Sequence, residues 1–280
     1  MGVLSSARRG FVLVLLAVAL IVSIFPFALL LLNSFKSNAE IMASPFSLPT
    51  SIGFDNFKIA MEQMHYFRSF MNTSVITFTS ILVILILSAM TSYQFVRHPS
   101  RINTTLFMMM VSSMIIPFQA IMIPLVSVYG RHLGWISAMP QPTLIFMYIG
   151  FGSPLAVFIY HGFIKSIPRE LEQAAFIDGC GRNQTFFKIV FPILLPTSVT
   201  IGILHTLWIW NDFLLPLIVL QNAGKDSLTL PLAIQVFKDI YSTDYAKFLP
   251  GILLTTLPVL LIYLFAQRYV IQGILQGSVK

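Results

Sequence analysis

The chain has 280 residues, of which 56% are hydrophobic and only 10% charged, with a mean hydropathy of +0.84. That balance excludes a soluble domain of this length, which would carry far more charge, and describes a polytopic membrane protein. The net charge of +7 is not gathered on one basic face, which excludes a nucleic-acid footprint.

Six apolar runs of about 20 residues are long enough to cross a hydrocarbon core as helices. They fall near 11–32, 72–95, 106–128, 143–164, 189–211 and 250–272. Backbone amides in lipid must be satisfied within a segment, and nothing shows the ten-residue alternation of a barrel. The expected fold class is all-α: a cytoplasmic N-terminal segment, 1–10, and one transmembrane domain, 11–280, of six helices.

Positive residues in short loops mark the cytoplasmic side. With the N-terminus inside, the cytoplasmic pieces hold ten Lys and Arg, including Arg8, Arg9, Arg97, Arg169 and Arg182, against Glu170, Glu172 and Asp178, a net +7. The external pieces hold seven Lys and Arg against six acids, a net +1. The expectation is a multi-pass protein of the cell membrane, in contact with lipid, with both termini cytoplasmic.

The first run follows Arg8 and Arg9 and is too long for a signal h-region; it ends Leu31-Leu32-Asn33-Ser34-Phe35 without an A-x-A-like site, so an uncleaved anchor is expected. The external segment 33–71 carries Phe46, Phe54, Phe57, Tyr66 and Phe67 with Gly and Pro punctuation, which predicts short helices joined by turns. In the third run, Gln119 lies between Pro117 and Pro124. Proline frees carbonyls and suits a lined cavity, although it is also common in membrane helices that only pack. Gln119 is therefore a candidate pathway residue beside a packing alternative.

The stretch Ser166–Pro196, SIPRELEQAAFIDGCGRNQTFFKIVFPILLP, is a charged, glycine-broken loop between two apolar runs. Pro168 suits a first helical turn, and Glu170 and Glu172 favour the positive end of the helix dipole. Leu171, Ala174, Ala175 and Asp178 recur at three- and four-residue spacing, giving a slim face, and Gly179 supplies a left-handed stop after about three turns. Gly181 and Asn183 allow a second reversal, so the prediction is helix, tight turn, helix. Small alanines allow close approach by another protein, and charged flanks orient the contact. On charge alone the same loop is an ordinary positive cytoplasmic connection. Its lone Cys180 cannot form an internal disulfide and reads as a bland small residue.

The fifth run ends in Trp208, Trp210, Asn211, Asp212 and Phe213. Aromatic faces and amide or carboxylate groups suit a sugar site. Asp212 is the only acid at or near a run, and such groups face a cavity or partner. The alternative is an interfacial aromatic anchor and polar cap. The external segment 221–249 turns at Asn222 to Gly224 and predicts a short amphipathic helix after Pro231, able to close over a pathway or touch an external partner.

The loop resembles the EAA loop of ATP-binding-cassette importer permeases: an E-A-A triplet, D-G three residues later and two prolines beyond. Here these are Gln173-Ala174-Ala175, Asp178-Gly179, Pro192 and Pro196. Gln173 departs from the usual Glu and loses any salt bridge from that position, which Glu172 could take over. The stretches NSFKSNAEIMASPFSLPT, IGFGSPLAVFIYHGFIKSIPRELEQAA, WIWNDFLLPLIVL, SLTLPLAI and QRYVIQGILQGSVK are similar to the carbohydrate branch, the maltose and glycerol-phosphate transporter type, over nearly the whole chain.

That resemblance implies a type I importer permease fold and half of a heterodimer with a second, homologous permease subunit. It implies that the loop 165–188, through Glu170, Glu172, Gln173, Ala174, Ala175, Asp178 and Gly179, docks on one of two ATPase subunits, and that an external solute-binding protein delivers the sugar. The chain has no G-x-x-x-x-G-K-[ST] Walker loop, so ATP and Mg belong to the partner ATPase and no cofactor is expected here. No catalytic constellation and no metal-ligand spacing among the five histidines is present, so neither an enzyme nor a metal protein is expected. The thirteen methionines read as flexible packing. The competing readings are a permease for another solute such as a polyamine, and an ion-coupled secondary transporter, for which no internal repeat is visible.

Overall fold

The computed structural model describes residues 6–239 and 242–278, and the side chains of 8–239 and 242–267. The first half of the N-terminal segment 1–10, the terminal Lys280 and the side chains of nearly all of QRYVIQGILQGSVK lie outside the described residues.

Among the described residues the named elements are all helices, as composition required. In chain order the α-helices are α1 (Ser6–Asn33), α2 (Asn38–Ala43), α3 (Asp55–Gln63), α4 (Tyr66–Arg97), α5 (Arg101–Ser113), α6 (Phe118–Leu125), α7 (Trp135–Ala138), α8 (Pro140–Ile164), α9 (Glu170–Ile177), α10 (Arg182–Thr185), α11 (Phe191–Ile193), α12 (Leu195–Asn211), α13 (Leu214–Leu220), α14 (Leu230–Ala233) and α15 (Tyr245–Ser278). α6 runs on as a π-helix over Val126–His132, and α10 as one over Phe186–Val190.

Among the described residues, four helices, α1, α4, α8 and α15, are each long and apolar enough to cross a membrane. The third and fifth predicted spans are bent pairs, Arg101–Ser113 with Phe118–His132 at 100° and Arg182–Ile193 with Leu195–Asn211 at 71°, which bring the total to six if each pair is one span. The helices expected over 106–128 and 189–211 are thus each broken by a sharp bend. Pro117 holds an extended backbone ahead of α6, and Pro196 removes an N–H in the first turn of α12. Between them, these prolines break the i→i−4 ladder at the two bends.

The chain forms two compact units, residues 1–66 with 234–256, and 67–233 with 257–280. In the first, the predicted short helices of the external segment are α2 and α3. Ser37 and Glu40 form a capping box on α2, and the other Glu40 oxygen accepts from the Thr50 backbone N–H at 3.2 Å and from the Thr50 hydroxyl. These bonds, the Thr50 hydroxyl foremost and then the Ser37 groups, pull the Glu40 carboxyl down to about 2. Lys36 is fully buried (0% exposed), its ammonium donating to the carbonyls of Ser44 (3.1 Å) and Pro45 (3.2 Å) just past α2. Asn38 ties α2 to the start of α15, donating to Asp244 at 2.9 Å and accepting from the Ala246 N–H at 2.9 Å.

In the second unit, α8 packs against α12, α13 and α5. Ser92 of α4 donates to the Val157 carbonyl of α8 at 3.0 Å, and Tyr160 of α8 donates to Ser198 of α12 at 2.6 Å. Among the described glycines, Gly152 marks the tightest approach. A Cβ there would lie 2.7 Å from Ile84 Cδ1 of α4 and 2.9 Å from the His205 ring of α12. The helix expected after Pro231 begins slightly earlier, as α14; the 3-10 turn that follows in the chain, Ile234–Phe237, belongs to the first unit.

Candidate functional site

The segment between α8 and α12 folds as helix, turn, helix. Arg169 accepts the first helical bonds, from the N–H groups of Glu172 (3.1 Å) and Gln173 (3.0 Å), so Pro168 sits just ahead of α9 where its missing donor costs nothing. α9 has eight residues, about two turns rather than the three expected, because Gly179 stops it at φ +83°. The Cys180 N–H reaches back to the Ala175 carbonyl (2.9 Å) and the Gly179 N–H to Phe176 (3.1 Å), the paired bonds of a Schellman motif. No atom lies within 4 Å of a Cβ built on Gly179, so glycine is required there by backbone conformation and not by space.

The predicted slim face divides. Leu171, Ala174 and Asp178 are exposed, as are Glu170, Gln173 and Gly179, while Ala175 turns inward with Glu172. Exposed apolar side chains beside them, Phe176 and above all Ile177 (86% exposed), leave α9 with an uncovered apolar flank on a polar loop.

Glu172 does not take over an outward salt bridge. Its Oε1 accepts from Arg97 Nε of α4 at 2.6 Å and its Oε2 from the Tyr93 hydroxyl of α4 at 2.7 Å. Arg97 Nη2 also donates to the Ile167 carbonyl at 2.9 Å. Side-chain exposure is 8% for Arg97 and 7% for Glu172, so the ion pair is internal. Sequence reasoning missed both partners, since 75 and 79 residues separate them from Glu172. The one legible signal was Arg97 at the end of an apolar run. The Tyr93 ring packs at a tilt of 53° against Phe186, centroids 5.2 Å apart, which brings in the second limb of the loop.

The pathway candidates do not form one site. Trp210 is buried (1% exposed) with its ring edge-on to Phe70 at 5.7 Å, so neither face is open for stacking. Trp208 is 41% exposed, beside the rings of Tyr148 (5.6 Å) and His205 (6.0 Å). Asn211 is exposed and donates to the Leu207 carbonyl at 2.8 Å. Asp212 accepts from the Tyr148 hydroxyl at 3.0 Å and from the Leu214 N–H at 3.1 Å, which makes it the polar link between α12 and α13. Gln119 is exposed at the start of α6. Close to it, a cavity of about 290 Å³ is lined by Phe118, Leu125, Tyr129, Met147, Phe151 and Pro154 among others, but Gln119 does not line it.

A family model described as the binding-protein-dependent transport system inner membrane component matches residues 85–275. The chain is 41% identical to a probable starch degradation products transport system permease protein, AmyC, of Thermoanaerobacterium thermosulfurigenes over 92% of each chain. It is 34% identical to the multiple sugar-binding transport system permease protein MsmG of Streptococcus mutans over 95% of each, and 35% identical to the melibiose/raffinose/stachyose import permease protein MelC of Bacillus subtilis over 91% of each. Among solved structures, a chain of a bacterial ABC transporter that imports the acidic polysaccharide alginate superposes with a TM-score of 0.78 at 20% identity, covering 96% of this chain and 99% of that one. That likeness bears on the fold, which is the type I importer permease fold.

Proposed function

The chain belongs to the family of binding-protein-dependent transport system inner membrane components, and from that premise we propose that it is the sugar-translocating permease subunit of an ATP-binding-cassette importer. Relatives named for starch degradation products, multiple sugars and melibiose, raffinose and stachyose support a sugar or oligosaccharide as the cargo.

One observation carries the mechanism: a rigid two-turn helix, closed by the Schellman turn at Gly179 and apolar on an exposed flank, stands between two membrane-crossing elements. In this reading Glu170, Gln173, Ala174, Asp178 and Gly179 meet a cleft on one of two partner ATPase subunits, and Glu172 and Ala175 hold the helix to its own chain. ATP and Mg are bound and hydrolysed in those partners, so this chain supplies no catalytic group. ATPase closure displaces the loop and its counterpart on a second, homologous permease. The two permeases then switch between inward- and outward-open packings around the sugar received from an external binding protein. Both termini lie in the cytoplasm. Trp208 offers the accessible aromatic face among the pathway candidates; Asp212 acts by fixing the α12–α13 corner.

The test is co-purification and uptake with the cognate ATPase, sister permease and binding protein in proteoliposomes. Ala174→Asp puts a charge on the docking flank, and Gly179→Val forces a β-branched residue into the left-handed region at a cost of about 1–2 kcal/mol or more. Each variant should continue to hydrolyse ATP while uptake falls at least about tenfold, as for loss of about 1.4 kcal/mol of coupling. Normal uptake by both variants in intact complexes would refute the assignment of the loop.

A further inference from the structure

The Arg97–Glu172–Tyr93 cluster is built more strongly than a loop anchor requires. A buried ion pair is no better for stability than well-packed apolar side chains of the same volume, because both charges leave water. What it adds is a fixed geometry. Glu172 receives one donor on each oxygen, from Arg97 at 2.6 Å and Tyr93 at 2.7 Å, so the carboxylate can neither rotate nor slide along α4. Arg97 grips the chain a second time at Ile167, ahead of α9, and the Tyr93 ring grips it a third time at Phe186, beyond α10. One turn of α4 therefore holds the loop before, within and after its two helices. The same turn is tied to α8 through Ser92 and Val157, so a force on the loop reaches two membrane-crossing helices together.

Resting on the reading of the loop as an ATPase-docking element, we propose that Arg97 and Tyr93 are positioning residues for transport that convert displacement of α9 into movement of α4 through the Glu172 carboxylate. The pair then works as a joint: it keeps one register between loop and span in both packings of the transporter. Gln173, the adjacent outward residue, faces the partner, while Glu172 faces the bundle.

The test uses the assembled transporter in proteoliposomes with ATPase and binding protein, and a radiolabelled maltooligosaccharide as the probe. Sugar taken up per ATP hydrolysed is measured per assembled complex. Arg97→Gln and Glu172→Gln should lower that ratio at least about fivefold, the lower end of inter-site coupling. Tyr93→Phe, which keeps the ring on Phe186 and removes one donor, should give a smaller loss in the same direction. A merely structural role would reduce the yield of complex and leave the ratio unchanged. An unchanged ratio in assembled Arg97→Gln and Glu172→Gln complexes overturns the proposal. If neither assembles, an unchanged ratio in Tyr93→Phe does the same. Absence of ATP-driven uptake of maltooligosaccharide, melibiose, raffinose and stachyose alike in the unmodified transporter would instead sink the underlying reading of the chain.

Discussion

At Gly152 three helices meet with no room for a methyl group. His205 explains part of the crowding: Nδ1 lies 2.9 Å from the Ile201 carbonyl and Nε2 3.0 Å from the Gly152 carbonyl, so the ring is wedged between α12 and α8. A neutral imidazole can donate to only one of them. Gly152→Ala should destabilise the purified protein by about 1–3 kcal/mol through overpacking. Ile84→Val, which deletes the Cδ1 atom that the new Cβ meets, should restore part of that loss, and thermal unfolding in detergent reads both effects. An unchanged melting temperature for Gly152→Ala would mean that the helices separate at no cost. Nothing in the sequence singled out Gly152 or His205, because a glycine in an apolar run reads as neutral until its neighbours are known. Glu172 and Gln173 make the same point: adjacent polar residues of similar size look interchangeable in a string, yet one is internal and the other exposed.

The elements were more legible than the residues. Pro168, Glu170 and Gly179 located α9 because start and stop signals are local chemistry, and the length error of one turn arose because spacing alone did not fix how early the chain reverses. The breaks at Pro117 and Pro196 were visible as prolines, but proline in a membrane helix is compatible with anything from a slight kink to the 100° and 71° bends found here. Packing decides between them. The brace at α2 was less legible, since Glu40 closes both on Ser37, three residues before it, and on Thr50, ten residues after it. Its carboxyl is held below its ordinary value, so its contribution is fully present above about 4.5 and is lost as pH falls toward 2. Hydrogen exchange at the Thr50 amide should stay slow at pH 7 and 5, relative to intrinsic rates, and lose protection in the acid range. Glu40→Gln should weaken that protection already at pH 7. Protection that is equal in both proteins at every pH would show that the carboxylate does not brace the segment.

For the whole molecule, the charge asymmetry gives a testable sidedness. The sole cysteine, Cys180, is half-buried in the candidate docking loop, and Ser51 is exposed in the segment between α1 and α4. In cells making this chain alone, a membrane-impermeant maleimide should label a Ser51→Cys/Cys180→Ser variant at once. It should label the unmodified chain only after permeabilisation, and the opposite pattern would invert the topology. The sequence by itself determined the all-helical class, the long apolar runs, the loop between α8 and α12 and the family likeness. Hydrophobic length, lipid's intolerance of unpaired amides and cap residues all act within a few turns of chain. Only the tertiary structure decided that Trp210 is closed to stacking, that Asp212 holds a corner and that Glu172 is gripped by Arg97 and Tyr93. Each of those outcomes depends on which distant side chain arrives beside a polar or aromatic group, and local pattern does not encode that.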